Sequence, residues 1–361
     1  MFLGFDFYGA GNIGDDLMLQ GFLECARPRH NAIPDHHFAC MIPRKPDSQR
    51  LRFPEVDWQH AQALQREAAI RGSRAWIGVG DTPFQTTSGP WLMDAILRDI
   101  ATTADAIPMH MVGVGAEKEA FSEPRKVGKI VESMRHISTR DDFSAGLLME
   151  NFPAYRDRIS VGADLAHVAL RTVFEAVAPG APIFDLAVTY YAERSSGVEL
   201  GQVKKFLVEM AKSNQVIFVG NETRRGIGAE YDLYRSMFLG LRNLFSRSDV
   251  DLYLPDYRGG SILDLVSHFT RYKVVLSSRY HSILAAAWAG CRVTALGRGS
   301  KIGAVARELD IPLVEGALDV SKLHGGYQAA RAVSRENLLR LAAKAERSVV
   351  NTLALVDAGP E

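Results

Sequence analysis

The sequence predicts an α/β protein of two Rossmann-like, doubly wound domains facing a cleft. Three observations predict it. Short apolar runs alternate with longer amphipathic ones over roughly the first 170 residues, the pattern of strands joined by crossover helices. That alternation lapses at residues 171–182 (RTVFEAVAPGAP), where Pro179, Gly180 and Pro182 cluster, and then restarts. The chain has 361 residues, which is long for a single core. The expected division is an N-terminal domain at 1–172, a linker at 173–182, a C-terminal domain at 183–333, and a final helix and tail at 334–361.

The elements follow in order. Residues 1–7 read as a buried strand, 16–26 as a helix with Leu17, Leu19 and Leu23 on its apolar face, and 37–42 as a strand ended by Pro43. A helix at 61–71, a strand at 75–79 (AWIGV), a helix at 91–102 and a strand at 109–114 (MHMVGV) come next. A helix at 127–135, a short strand at 137–139 and a helix at 142–149 complete the first half. In the second half, strands at 183–190, 216–219, 251–254, 273–276 and 292–296 alternate with helices at 199–211, 231–245, 261–270, 280–289 and 301–309. A long helix from Ser334 to about Val356 closes the chain. In open α/β sheets ligands sit beyond the carboxyl ends of the strands, so the loops after strands are where chemistry is expected.

Bulk properties narrow the function classes. Lys plus Arg and Asp plus Glu number 42 each, so no net basic field recruits nucleic acid or holds the chain on an anionic membrane. Cys25, Cys40 and Cys291 are far apart, with no metal-ligand spacing; no metal and no disulfide framework are expected. The first residues lack a basic leader, and the apolar run 283–289 is too short to span a bilayer. The reading is a cytoplasmic protein, with membrane contact at most peripheral, at the inner face; an oligomer is compatible with the sequence.

After the first strand comes GAGNIGDD, residues 9–16. Gly9, Gly11 and Gly14 match G-x-G-x-x-G, a weak dinucleotide signal. Asp15 and Asp16 oppose it, because two carboxylates at a helix N-terminus repel a pyrophosphate. No acid follows the second strand, which runs Met41, Ile42, Pro43, Arg44, to bind a ribose. One aspartate can cap the helix. A second carboxylate in a glycine turn can hold sugar hydroxyls or accept a proton. Both roles stay open for either residue.

The strongest chemical signal is SSRYHS, residues 277–282, between a strand and a helix. Arg279 and His281 stand where a helix begins, and cations there oppose the helix dipole by about 0.3–1 kcal/mol each. An anionic ligand reverses that sign: backbone N–H groups, a guanidinium and an imidazole then converge on it. Ser277 and Ser278 can cap the helix or donate hydroxyls. The next strand ends in Gly297, Arg298, Gly299, Ser300 and Lys301, a second basic, glycine-rich turn opening a helix. A third cation, Arg140 in STRDD, follows a strand of the first half, where the bland reading is a surface ion pair with Asp141 and Asp142.

Taken together, GAGNIGDD, GVGD at 78–81, STRDD at 138–142, VGADLAHVAL at 161–170, SSRYHSILAAAWAG at 277–290 and Lys301, 20 positions beyond His281, resemble the motif series of the polysaccharide pyruvyl transferases. The resemblance covers roughly residues 1–315. Two departures stand out: GVGDTPFQ replaces a run of glycines, and Tyr280 stands where relatives commonly carry leucine. The resemblance implies a fold similar to the two-domain glycosyltransferase type called GT-B. It implies transfer of pyruvate from phosphoenolpyruvate to two sugar hydroxyls, as a cyclic ketal, with release of phosphate. The acceptor would be a sugar in a polysaccharide or a lipid-linked glycan, and no cofactor is implied.

By this resemblance Arg140, His281 and Lys301 line the phosphoenolpyruvate site, with Arg279 from the same motif and Ser278 beside it. His281 is the expected general acid, since imidazole exchanges its proton near neutral pH. Asp15 or Asp16 orients or deprotonates the acceptor hydroxyl, and Asn12 and Asp81 join them on the acceptor side. Two other readings remain: a nucleotide-sugar glycosyltransferase on the same fold, for which Asp256 is the one candidate ribose ligand, and a non-catalytic glycan-binding member.

Overall fold

The structure, a computed structural model, describes residues 1–9, 11–32, 37–42, 47–60, 63–86, 89–103, 106–178, 180–190, 197–220, 250–253, 260–297 and 299–359. The helix expected at 231–245, and the candidates Asp256 and Arg298, lie outside the described residues. The chain divides into two compact units. Met1–Gly9, Asp15–Ala169 and Leu339–Glu361 form the first; Ala10–Gly14 and Leu170–Leu338 form the second.

The first unit is built on seven strands: β1 (Phe2–Leu3), β2 (Phe38–Ile42), β3 (Val56–His60), β4 (Trp76–Val79), β5 (Met109–Val114), β6 (His136–Thr139) and β7 (Ile159–Val161). They lie in the order 3-2-1-4-5-6-7, and every neighbouring pair is parallel. The helices of this stretch are α1 (Ile13–Ala32), α2 (Asp47–Arg52), α3 (Ala63–Arg71), α4 (Trp91–Thr103), α5 (Pro124–Ser133), α6 (Asp142–Asn151) and α7 (Ala166–Ala176). The central strands β4 and β5 are buried along their whole length, as a parallel sheet covered on both faces requires.

The second unit repeats the plan. Its strands are β8 (Phe184–Thr189), β9 (Val216–Val219), β10 (Val250–Tyr253), β11 (Tyr272–Ser277), β12 (Arg292–Gly297), β13 (Leu313–Glu315) and β14 (Arg331–Ala332). The parallel order is 10-9-8-11-12-13, and β14 pairs antiparallel with β12. Its described helices are α8 (Gly197–Met210), α9 (Ile262–Val266), α10 (Tyr280–Trp288), α11 (Ser300–Leu309) and α12 (Val320–Ala329); α13 (Arg335–Ala358) ends the chain. Leu338, Leu341, Ala342, Ala345, Val349, Leu353 and Val356 recur at helical spacing and form the buried stripe of α13. From Leu339 onward this helix belongs to the first unit.

Both sheets share one topology. In each, the first strand of the unit lies beside the fourth, and the winding reverses between them. That reversal opens the crevice where doubly wound sheets bind ligands. In the first unit it falls between the ends of β1 and β4, and in the second between the ends of β8 and β11.

The first strand is shorter than expected: only Phe2 and Leu3 join the ladder, although Phe5 and Tyr8 beyond them are buried. The sequence reading also missed the short α2, β3, β7, β13 and β14, and the helices α7 and α12. No helix among the described residues is long and apolar enough to cross a membrane.

Candidate functional site

In the first unit the chain leaves β1 through Tyr8 and Gly9. The Tyr8 hydroxyl donates to the carbonyl of Val79, the last residue of β4, at 2.7 Å and so ties the two strand ends together. Burial raises the pKa of this phenol well above its ordinary value, and the charges of Asp15 and Asp81 add to that effect. The charges of both acids therefore act on one buried hydroxyl at the switch point. Asp81 follows β4 with φ of 61°, in the left-handed region that a non-glycine residue rarely enters.

The helix α1 begins at Ile13, three residues before the sequence placed it. Asp15 consequently sits inside its first turn, with Asp16, rather than before it. The capping contact comes from Asn12, whose side chain accepts from the Gly14 N–H at 3.1 Å. Asn12, expected on the acceptor side, thus has a structural task as well. Asp16 is fully buried and ion-paired with Arg52, whose side chain is 4% exposed. Its other oxygen accepts the Gly9 N–H at 2.5 Å. Burial raises the Asp16 pKa, while the guanidinium and the Gly9 amide pull the other way.

Arg140 follows β6 and is 3% exposed. Its Nε lies 3.4 Å from Asp141 and its Nη1 4.0 Å from Asp164. The surface ion pair of the sequence reading is corrected here: the pairing is buried, and its second acid is Asp164 rather than Asp142. The guanidinium fits because position 115 is glycine; a Cβ there would stand 2.6 Å from its Cζ. The Gly115 N–H in turn donates to the Asp81 carbonyl at 2.7 Å. One chain of contacts therefore runs from Asp81 through Gly115 to Arg140 across the ends of β4, β5 and β6.

In the second unit the crevice is closed at its base by Thr189 and Ser277, whose hydroxyls are 2.5 Å apart, and by the Ser278 N–H donating to the Thr189 carbonyl at 2.9 Å. The Ser277 Oγ also accepts the Arg279 N–H at 3.0 Å, a turn that delivers Arg279 to the N-cap of α10. Ser277 thus fixes the turn, and Ser278 is half-buried beside it. His281 falls in the first turn of α10 and Lys301 in the first turn of α11, with Gly299 at its N-cap. These helices follow β11 and β12, which are parallel neighbours. The structure thereby brings Arg279, His281 and Lys301 to one edge of one sheet.

Gly14 also groups with this unit. A Cβ on it would stand 1.9 Å from the Nδ1 of His281 and 2.7 Å from its Cγ. The imidazole edge lies directly against the backbone of the N-terminal glycine loop.

Sequence reasoning missed Arg52, Gln49 and Asp164. Asp164 was inside a quoted motif; Arg52 and Gln49 belong to a six-residue helix with no periodic signal. Among the described residues no group of three or more His, Cys, Asp or Glu is placed to hold a metal ion.

The solved structures similar to this chain share its fold. UDP-GlcNAc 2-epimerase from Rickettsia bellii matches with a TM-score of 0.64 at 11% identity, covering 94% of each chain. The Neisseria meningitidis enzyme, solved with UDP-GlcNAc, matches with a TM-score of 0.58 at 14% identity, over 93% of this chain and 97% of that one. A glycosyltransferase from Rickettsia africae gives 0.52 at 13% identity, over 92% and 89%. These likenesses show the fold: two parallel-sheet α/β units of the GT-B-like kind. No curated protein matches the sequence. The model of the polysaccharide pyruvyl transferase family matches residues 12–300, from Asn12 within the glycine loop to the residue before Lys301, and the chain belongs to that family.

Proposed function

We propose that the protein transfers the pyruvyl group of phosphoenolpyruvate onto two hydroxyls of a sugar, in a polysaccharide or lipid-linked glycan precursor, forming a cyclic ketal and releasing phosphate. The observation that supports this reading is the placement of Arg279, His281 and Lys301 at the starts of two helices that follow neighbouring strands. A carboxylate and a phosphate on one small molecule match two cationic side chains and two helix N-termini.

His281 donates a proton to the methylene carbon of the donor, leaving positive charge on the adjacent carbon. The first sugar oxygen attacks that carbon while Asp15 takes its proton. The bond to phosphate then breaks, and the second hydroxyl adds at the same carbon. Of the two hydroxyl protons, one replaces the proton now in the methyl group and the other leaves with phosphate. Arg140 keeps the donor-binding role the family resemblance gives it. No cofactor enters this scheme, because the donor's enol phosphate is already activated.

On the acceptor side, Trp91 is 44% exposed and stands edge-on to Phe7, ring centres 6.2 Å apart; Phe7 in turn lies 5.0 Å from Tyr8. The aromatic row begins in solvent and ends beside Asp15 and Asp81. That combination suits a sugar, whose C–H face needs an apolar surface and whose hydroxyls need acceptors.

The alternative, a nucleotide-sugar glycosyltransferase, draws support from neighbours solved with UDP-sugars. The test is phosphate release from phosphoenolpyruvate with glycan precursors, followed by product mass. A gain of one pyruvate less one water supports the proposal, and His281→Gln should lower turnover by about 10²–10⁴-fold. Thermal stabilisation by nucleotide sugars but not by phosphoenolpyruvate, with no phosphate released, overturns it in favour of the alternative.

A further inference from the structure

We infer that the adjacent acids of the glycine loop have divided roles: Asp16 is a positioning residue, locked by Arg52 so as to fix the entry to the loop, and Asp15 alone serves the acceptor hydroxyl. This rests on the proposed function for the role of Asp15; the role of Asp16 and Arg52 stands on geometry.

Both oxygens of Asp16 are engaged, one by the Arg52 guanidinium and one by the Gly9 N–H. The carboxylate is fully buried, at 0% exposure against 8% for Asp15. Successive helical residues point about 100° apart, so Asp15 takes a different direction from the same turn. Burial, with the charges of Cys40, Asp15 and Asp81, raises the pKa of the Tyr8 phenol. The helix that carries Arg52 makes a second contact of the same kind: Gln49 Nε2 donates to the Tyr8 carbonyl at 3.1 Å. Two consecutive backbone groups, the Tyr8 carbonyl and the Gly9 amide, are thus held by side chains rather than by the sheet ladder. These groups precede the segment that carries Asn12 and Gly14, and Gly14 abuts His281. Loss of the Arg52–Asp16 lock should therefore disturb placement of the loop without removing any group that touches the reactants.

The test is a double-mutant cycle on the full chain with Asp16→Asn, Arg52→Gln and the pair, alongside Asp15→Asn and Arg52→Lys. Each single lock variant should lower kcat about 10–100-fold with little change in the KM for phosphoenolpyruvate. The double variant should lose no more than either single, because both break one interaction. Arg52→Lys should recover most of the loss, and Asp15→Asn should cost more than any lock variant. Amide hydrogen exchange at residues 9–14 should quicken about tenfold in Arg52→Gln, a readout that needs no assumption about the reaction. Additive losses, or Asp16→Asn inactive beside a near-normal Arg52→Gln, make Asp16 the chemical base and overturn the inference. Unchanged exchange in a folded Arg52→Gln overturns it as well. Absence of pyruvyl transfer in the unaltered protein is a failure of the proposed function alone, and exchange then decides the lock.

Discussion

The contact between Gly14 and His281 can be probed with a single methyl group. Gly14 lies in the first turn of α1 and outside the left-handed region, so alanine suits its backbone and should favour the helix, by up to about 1 kcal/mol. The added Cβ would fall 1.9 Å from Nδ1 of His281, and ordinary contact begins at 3.4 Å. The ring must therefore retreat by roughly 1.5 Å, and a displacement near 1 Å at a reacting group can cost about 100-fold in rate. Gly14→Ala should thus lower kcat for phosphate release by about two orders of magnitude, close to 2.7 kcal/mol in barrier height, while the melting temperature holds or rises. Gly146→Ala in α6 is the control, since nothing lies within 4 Å of its Cβ position. Steady-state kinetics and thermal denaturation on the three proteins decide the matter. A Gly14→Ala protein with kcat within twofold of the unaltered enzyme refutes the argument, because either the imidazole is not held there or its place does not matter.

Other consequences are tested more briefly. Arg279→Lys removes a planar, bidentate grip while keeping the charge, and should raise the KM for phosphoenolpyruvate about tenfold; an unchanged KM assigns the donor elsewhere. Trp91→Ala should raise the acceptor KM at least several-fold and leave the donor KM alone, read by varying each substrate at saturation of the other. His110 is buried on β5, neither ring nitrogen has a hydrogen-bond partner among the described residues, and burial, with His136 and Arg135 nearby, pushes its pKa down to about 4. Its folded value lies below its unfolded one, so the unfolded state takes up the proton first, and stability falls as pH drops from about 6.5 to 4. At pH 5 that loss is about 2 kcal/mol relative to pH 7.5, so urea unfolding of His110→Phe should show a shallower acid dependence by that amount.

Much of this was legible because it repeats a local pattern. Short apolar runs marked the central strands β4, β5, β11 and β12, which are buried along most or all of their length. Arg279 and His281 stood out because cations at a helix start oppose the dipole, and the structure places both there. Edge strands such as β3, with only alternate residues buried, gave a weaker signal. Contacts between segments distant in sequence gave none. Arg140 reads as a surface cation from its neighbours Asp141 and Asp142; in the structure it is buried and pairs with Asp164, which follows β7, a strand the pattern did not announce.

The two aspartates mark where sequence reasoning stops. Side by side, they present the same chemistry to a reader of residues, and either could cap, bind or take a proton. Three-dimensional structure separates them by two facts: where α1 starts, and what stands 36 positions further on. Because the helix starts at Ile13, the side chain of Asn12 supplies a cap that the sequence reading gave to one of the acids. Because Arg52 arrives on its own short helix, one acid acquires a buried counter-charge, and removing one partner of such a pair costs about 3–5 kcal/mol. A residue so bound is expensive to lose and poorly suited to exchange a proton with substrate. Its neighbour, one residue earlier in the turn, occupies a different direction on the helix, and this difference is what lets a repeated acid serve both the scaffold and the proposed reaction.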